Sequence, residues 1–204
     1  AGQGINCGTS ISNFPSGNGP FSTVFWYKAP STATMLGWGW DQGQSKVVIQ
    51  LASPVHINLD CWFGGANVIG SSAPALSQWH HVAHTFTNGA AYLYVDGVQD
   101  GSNLGGGMAI PSVVQLVLGG WGSYGYAGDM DEVQISKVNR SADYIKMEYE
   151  NQKILQTMVG TIVQPGTNFS VSPASITMNE NTTTNLTAQA GGALKVYWYL
   201  VNGT

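Results

Sequence analysis

Residues 119–133 read GGWGSYGYAGDMDEV: Trp121, Tyr124 and Tyr126 stand among glycines, and three carboxylates, Asp129, Asp131 and Glu132, follow. Two chemistries suit such a stretch. Large rings on a pliable loop stack on flat apolar surfaces such as the C–H faces of a sugar, while nearby amides and carboxylates fix the hydroxyls. Carboxylates beside the backbone carbonyls of an irregular loop suit Ca2+, which takes about 6–8 oxygen ligands.

The same mixture of ring and polar group recurs twice. Residues 38–44 (WGWDQGQ) offer Trp40, Asp41 and Gln42, and residues 62–67 (WFGGAN) offer Trp62 and Asn67. With Trp121 and Tyr124 these form the candidate sugar-binding set, and Trp121 is the leading stacking platform because no strand alternation explains it. Trp38 and Trp40 alternate with glycine, which predicts one shared strand face: either a wall of the core or a cleared surface for a flat ligand. Period-2 alternation in DMDEVQIS places Asp131 on the face of Val133 and Ile135, the predicted buried one. A buried carboxylate needs a partner. Either Ca2+ supplies it, with Asp129 as a second ligand, or the backbone amides of a turn do, with Asp129 a solvated turn residue.

The histidines of HHVAH (His80, His81 and His84) have no carboxylate or thiol at metal-ligand spacing, so packing and hydrogen bonding are expected of them rather than zinc. Cys7 and Cys61 read either as a disulfide of an exported chain or as two buried free thiols. Asn-x-Ser/Thr sequons at Asn139, Asn168, Asn181, Asn185 and Asn202 are the chance product of a Thr/Asn-rich β sequence.

The elements that must hold these residues are strands. Charged residues make up 9% of the 204, aromatics 11%, and glycines number 27, a balance of short strands and small-residue turns. The net charge of −4 provides no basic field for nucleic acid or an anionic membrane, and no apolar run is long enough to span a bilayer. Ala1-Gly2 reads as the start of a mature or trimmed chain, which is compatible with export. Strands are predicted at 21–28, 47–51, 55–63, 82–86, 92–96 and 113–118, with tight turns at Asn88-Gly89 and Asp96-Gly97. One helix is predicted at 141–150, capped by Ser141, with Ala142, Ile145 and Tyr149 on one face. Residues 159–168 read as a linker, and 169–204 as the opening strands of a second, incomplete domain.

FSTVFWYKAP, QWHHVAHTF, LYVDGVQDG, LGG at 118–120 and YAGDMDEVQIS followed by RSADYIKMEYENQ together resemble a laminin-G-like domain of the concanavalin-A-like lectin/glucanase superfamily, in its bacterial branch. The resemblance covers roughly residues 5–153, within a predicted domain of 1–158. It implies an all-β jelly roll of two antiparallel sheets with one short helix, and core positions for Trp26 and Trp79. It also implies a calcium ion near Asp131, and a secreted or cell-surface accessory module that binds a polysaccharide next to other domains of a larger chain. The tail is similar to the first strands of a bacterial immunoglobulin-like domain, with Trp198 as its strand tryptophan. Hydrolysis on this fold needs two facing carboxylates, typically in an E-x-D-x-E strand, and the sequence has none. A non-catalytic binding module is therefore expected, with a structural or adhesive spacer as the alternative and a hydrolase behind both.

Overall fold

The computed structural model describes residues 4–62, 65–153, 169–172 and 187–190. The chain divides into two units, 1–149 and 150–204. In the first, thirteen strands run in order: β1 (Ile5–Ile11), β2 (Phe21–Lys28), β3 (Ala33–Gly39), β4 (Lys46–Ala52), β5 (His56–Asp60), β6 (Val68–Ile69), β7 (His80–Thr87), β8 (Ala90–Val95), β9 (Val98–Asn103), β10 (Val114–Leu118), β11 (Gly120–Trp121), β12 (Tyr124–Gly125) and β13 (Asp129–Ser136). Helix α1 (Ala142–Gln152) follows. In the second unit, β14 (Phe169–Ser172) pairs antiparallel with β15 (Thr187–Ala190). The segment expected to be a linker and most of the tail expected to resemble an immunoglobulin-like domain, Trp198 included, lie outside the described residues.

Two antiparallel sheets face each other, as expected for a jelly roll. One has the order β1-β10-β3-β4-β5-β6, the other β13-β2-β7-β8-β9. Their inner faces meet in a single core containing Phe21, Phe25, Phe86, Leu36, Trp38, Ile49, Ile57 and Leu93. Phe21 packs edge-on to Trp38 at 5.1 Å and stacks on Phe86 at 5.3 Å, and the Trp38 indole N–H donates to Thr23 Oγ1 at 3.0 Å. The predicted turns follow from backbone chemistry. Asn88 and Gly89 have φ of 48° and 80°, Asp96 and Gly97 of 49° and 75°, the paired positive values of a two-residue hairpin turn.

Helix α1 covers the outer face of the five-stranded sheet. Ser141 Oγ accepts the Tyr144 N–H at 3.2 Å, capping the helix as predicted. Ile145 joins Val24, Ala83 and Tyr94 in a small apolar cluster, and Tyr149 stacks on Trp26 at 5.7 Å. No helix among the described residues is long and apolar enough to cross a membrane.

Three sequence expectations fail on geometry. Cys7 is exposed on edge strand β1, whereas Cys61 is buried after β5, and both are free. Four ladder spacings separate those strands, about 19 Å, against the roughly 7 Å limit for bridged Cα atoms. Trp79 is not a core residue: it lies just before β7 and is 38% exposed. Trp38 and Trp40 do not share a face. Gly39, at a φ of 105°, breaks the alternation, leaving Trp38 in the core and Trp40 exposed.

His81 and His84 are fully buried with no hydrogen-bond partner on either ring nitrogen. Burial lowers their pKa values, to about 4 for His81 and about 3 for His84. The unfolded chain, with histidines near 6.5, therefore binds these protons first, and stability falls as pH drops below about 6.5. His80 works in the opposite sense: Asp96 raises its pKa, so its contribution is full below about 6.5 and is lost as pH rises through the folded value. Urea denaturation between about pH 6.5 and 4.5 should show the loss from the buried pair, up to about 1.4 kcal/mol per pH unit for each. His84→Leu should flatten that slope by about half. An unchanged slope would show that His84 is not buried neutral.

Candidate ligand-binding face

The outer face of the six-stranded sheet is built from residues that alternate with the core. Trp38 pairs with Val47 and Leu116, all inward-directed, so Gly37, Gly39, Lys46, Val48, Gln115 and Val117 share the opposite face. One strand over, Val48 pairs with Asp60 and Gln50 with Asn58. On this face Lys46 is only 7% exposed.

A buried ammonium is costly unless its charge is answered. Lys46 Nζ donates to Asp41 Oδ1 at 2.9 Å, lies 3.7 Å from Asp60 Oδ2, and sits 4.5 Å from the centre of the Trp62 ring. Its hydrogen bond is the main reason the Asp41 pKa is lowered. The Trp121 indole N–H also approaches Asp41 Oδ1, at 3.5 Å. Lys46 thus gathers Asp41 and Trp62 of the candidate set, and Asp41 in turn meets Trp121.

The backbone holds those loops in register. Gln44, in the left-handed region at a φ of 60°, donates its N–H toward Cys61 O and Trp62 O at 3.1 and 3.0 Å. Trp62, at a φ of 50°, donates its N–H to Asp60 Oδ1 at 2.9 Å. Asn67 Oδ1 accepts the Cys61 N–H at 2.7 Å, so Asn67 shapes the loop that carries Trp62. Trp40 is exposed, with its indole N–H tied to Val113 O at 2.6 Å. Gln42 is exposed in the same turn, its N–H bonded to Trp40 O at 2.7 Å.

Trp121 is not the exposed platform that its loop suggested. It belongs to the small hairpin β11–β12, lies flat over Gly37, and is 6% exposed. No Cβ fits at Gly37 beneath the ring. Gly122, at a φ of 59°, makes the turn that returns the chain to Tyr124, which is 71% exposed. The exposed rings of the candidate set are therefore Trp40, Trp62 and Tyr124, with buried Trp121 as the cross-strand partner of Tyr124.

Asp131 also departs from expectation. Met130 pairs with Tyr27 and Asp131 with Trp26, but the register shifts before Gln134, and Glu132 has a φ of 51°. This bulge leaves Met130, Val133 and Ile135 against the core and Asp131 exposed. Its Oδ1 accepts the Glu132 N–H at 2.8 Å, while exposed Asp129 lies 3.8 Å from Lys28 Nζ. Among the described residues no three His, Cys, Asp or Glu side chains converge on a metal position. Both carboxylates are thus open to solvent, and Asp131 is not the buried carboxylate that alternation implied.

Lys46 and Asp60 were missed by sequence reading. Lys46 heads KVVIQL, a run otherwise typical of a core strand, and a lone lysine there gives no signal of its partners. Tyr126 keeps a structural part: its hydroxyl, with one proton to donate, lies 2.9 Å from Lys28 O and 2.7 Å from Asp129 O.

With the geometry described, comparison places the chain. It belongs to the concanavalin A-like lectin/glucanases superfamily, whose laminin-G family model matches residues 2–146. No curated protein matches in sequence. Among solved structures, a heptameric SAP-like pentraxin from Limulus polyphemus is similar at 16% identity and a TM-score of 0.56, over 76% of this chain and 82% of that one. Domain 4 of an extracellular arabinanase from Geobacillus stearothermophilus, solved with arabinotriose, is similar at 19% identity and a TM-score of 0.56, over 71% of each. Domains LG4-5 of the mouse laminin alpha1 chain are similar at 15% identity and a TM-score of 0.54, over 70% of this chain and 41% of that one. These likenesses are of fold.

Gly37→Ala should push a methyl group into the Trp121 ring. The expected cost is about 1–3 kcal/mol, with a red shift in tryptophan emission as the ring is displaced. Unchanged stability and emission would mean that Trp121 does not rest on β3.

Proposed function

We propose that this domain is a non-catalytic carbohydrate-binding module that takes a neutral polysaccharide on the outer face of its six-stranded sheet. One observation carries the reading: the exposed indole of Trp62 lies over a fixed polar cluster of Asp41, Lys46 and Asp60, and exposed Trp40 precedes Asp41 in the same turn. Rings stack on the apolar faces of sugars, and the exposed oxygens of Asp41 accept their hydroxyls. A face whose loops are already tied together loses less motional freedom on binding. The fold likeness to an arabinanase domain solved with arabinotriose is consistent with this use.

The same cluster argues against hydrolysis. A general acid needs a carboxyl group held protonated near neutral pH, and Asp41 is pushed the other way by Lys46. Glu148 does have a raised pKa through burial, but it sits on α1 at the opposite sheet. A secreted or cell-surface location, as part of a larger chain, fits a polysaccharide ligand and the extracellular arabinanase likeness.

Pull-down on insoluble polysaccharides tests the reading. Trp62→Ala and Tyr124→Ala should each weaken retention about tenfold, or about 1.4 kcal/mol, with little change in melting temperature for exposed Tyr124 and a modest fall for Trp62, whose ring also lies over Lys46. Trp121→Ala should instead destabilise the fold by about 3 kcal/mol or more. Retention of both exposed-ring variants at wild-type level would move the site elsewhere. A wild-type protein held by no glycan would favour a structural or adhesive spacer.

A further inference from the structure

The six-stranded sheet contributes very little positive charge to its outer face. Among the described residues the lysines and arginines are Lys28, Lys46, Lys137, Arg140, Lys146 and Lys153. Lys28 ends β2, Lys137 and Arg140 lie between β13 and α1, Lys146 is on α1, and Lys153 follows it. None of those five lies on the six-stranded sheet, so Lys46 is the one cation its described strands supply.

That ammonium is enclosed. The Lys46 side chain is 9% exposed, with Asp41 Oδ1 at 2.9 Å, Asp60 Oδ2 at 3.7 Å and the Trp62 ring across it. Its two counter-charges are more open: the Asp41 side chain is 64% exposed and that of Asp60 35%. Two carboxylates against one ammonium leave the cluster with a surplus of negative charge. The Lys46 hydrogen bond holds the Asp41 pKa below the ordinary carboxylate range, so the surplus persists into mild acid. An ionised carboxylate only accepts hydrogen bonds, and a sugar hydroxyl has a proton to give it. A uronate or sulfate group has none, and it brings a like charge to the interface, which is strongly unfavourable.

We propose that Asp41 determines specificity on this face: it accepts glycan hydroxyls, repels uronate and sulfate groups, and occupies the position on Lys46 that an acid group would take. The inference rests on the polysaccharide reading above and narrows its ligand to glycans that bring free hydroxyls, and no acid group, to Trp62 and Asp41. It also has a converse. Without the Asp41 side chain, Lys46 is left with Asp60 alone, at 3.7 Å, and has a donor free for the carboxylate of a ligand.

Two measurements test this. On an array of neutral glycans and their uronate and sulfate counterparts, the wild-type protein should be held by neutral members only. Glucuronate is then titrated into the 15N-labelled protein at low salt and about pH 8, where histidine is uncharged, and followed through the indole N–H signals. Asp41→Ala should bind glucuronate at least about tenfold more tightly than the wild type does. Added salt should weaken that gain, and Lys46→Met in the same chain should cancel it. Asp41→Asn keeps the shape and an acceptor but removes the repulsion, so it should show a smaller gain, and it decides the matter if the alanine variant does not fold. Wild-type retention of acidic glycans at the level of their neutral counterparts, or no gain for glucuronate in a folded variant, would overturn the assignment and leave the polysaccharide reading standing. A wild-type protein held by no glycan on the array would remove that reading, and this inference with it.

Discussion

A single ammonium group, buried at the head of β4, sets the arrangement of the loops above it. Desolvating Lys46 costs several kcal/mol unless other groups compensate, and the compensation comes from three places in the chain. Asp41 supplies a hydrogen bond, Asp60 a second carboxylate, and Trp62 the face of its ring. The Asp41 pair is not a large source of stability, because that carboxylate is mostly exposed and water screens it. Its consequence is geometric. The turn after β3 and the loop after β5 cannot move independently while both are tied to one buried charge, and the Gln44 backbone bonds fix them further.

The rest of the fold decides which face this cluster can serve. Both sheets bury their inner faces in one core, so only the outer faces remain for binding. Helix α1 occupies one of them, with Ile145 on Val24 and Ala83 and with Tyr149 on Trp26. No helix among the described residues covers the six-stranded sheet. Its outer face mixes polar groups and glycines with Val48 and Val117, and the β11–β12 hairpin covers Gly37 with one indole. The division between a helix-covered and a loop-decorated face follows from the sequence, since only the 141–150 pattern supplies an apolar stripe that needs a sheet to cover.

Strand positions were legible because alternation and turn chemistry are local. FSTVFWYK is β2 to the residue, and Asn88-Gly89 and Asp96-Gly97 adopt the positive φ values their composition invites. The candidate site was legible only in part. Asp41, Trp62 and Trp121 do gather on one face, but which rings are exposed depended on events that alternation does not record. One glycine at φ of 105° turned Trp40 away from Trp38, and one bulge at Glu132 turned Asp131 out of the core. Lys46 escaped notice for a related reason. Its partners come from positions 41, 60 and 62, and pairings made by sheet register are invisible until the register is known.

The loop that first drew attention divides its labour between two rings. Trp121 and Tyr124 are cross-strand partners in a two-residue hairpin, yet one is buried and the other almost free. A hairpin this short has no stability of its own. The buried indole supplies what the hairpin lacks, by packing on Gly37 and reaching Asp41, and so fixes the position of an exposed phenol at the tip. A ring exposed on an unanchored glycine loop would have to be ordered at the moment of binding, at a cost taken from affinity. Glycines at 37 and 122 serve this anchoring in different ways: the first leaves room for the indole, and the second allows the turn. The pliability suggested by the sequence is thus spent in folding, and the surface left for a ligand is a rigid one.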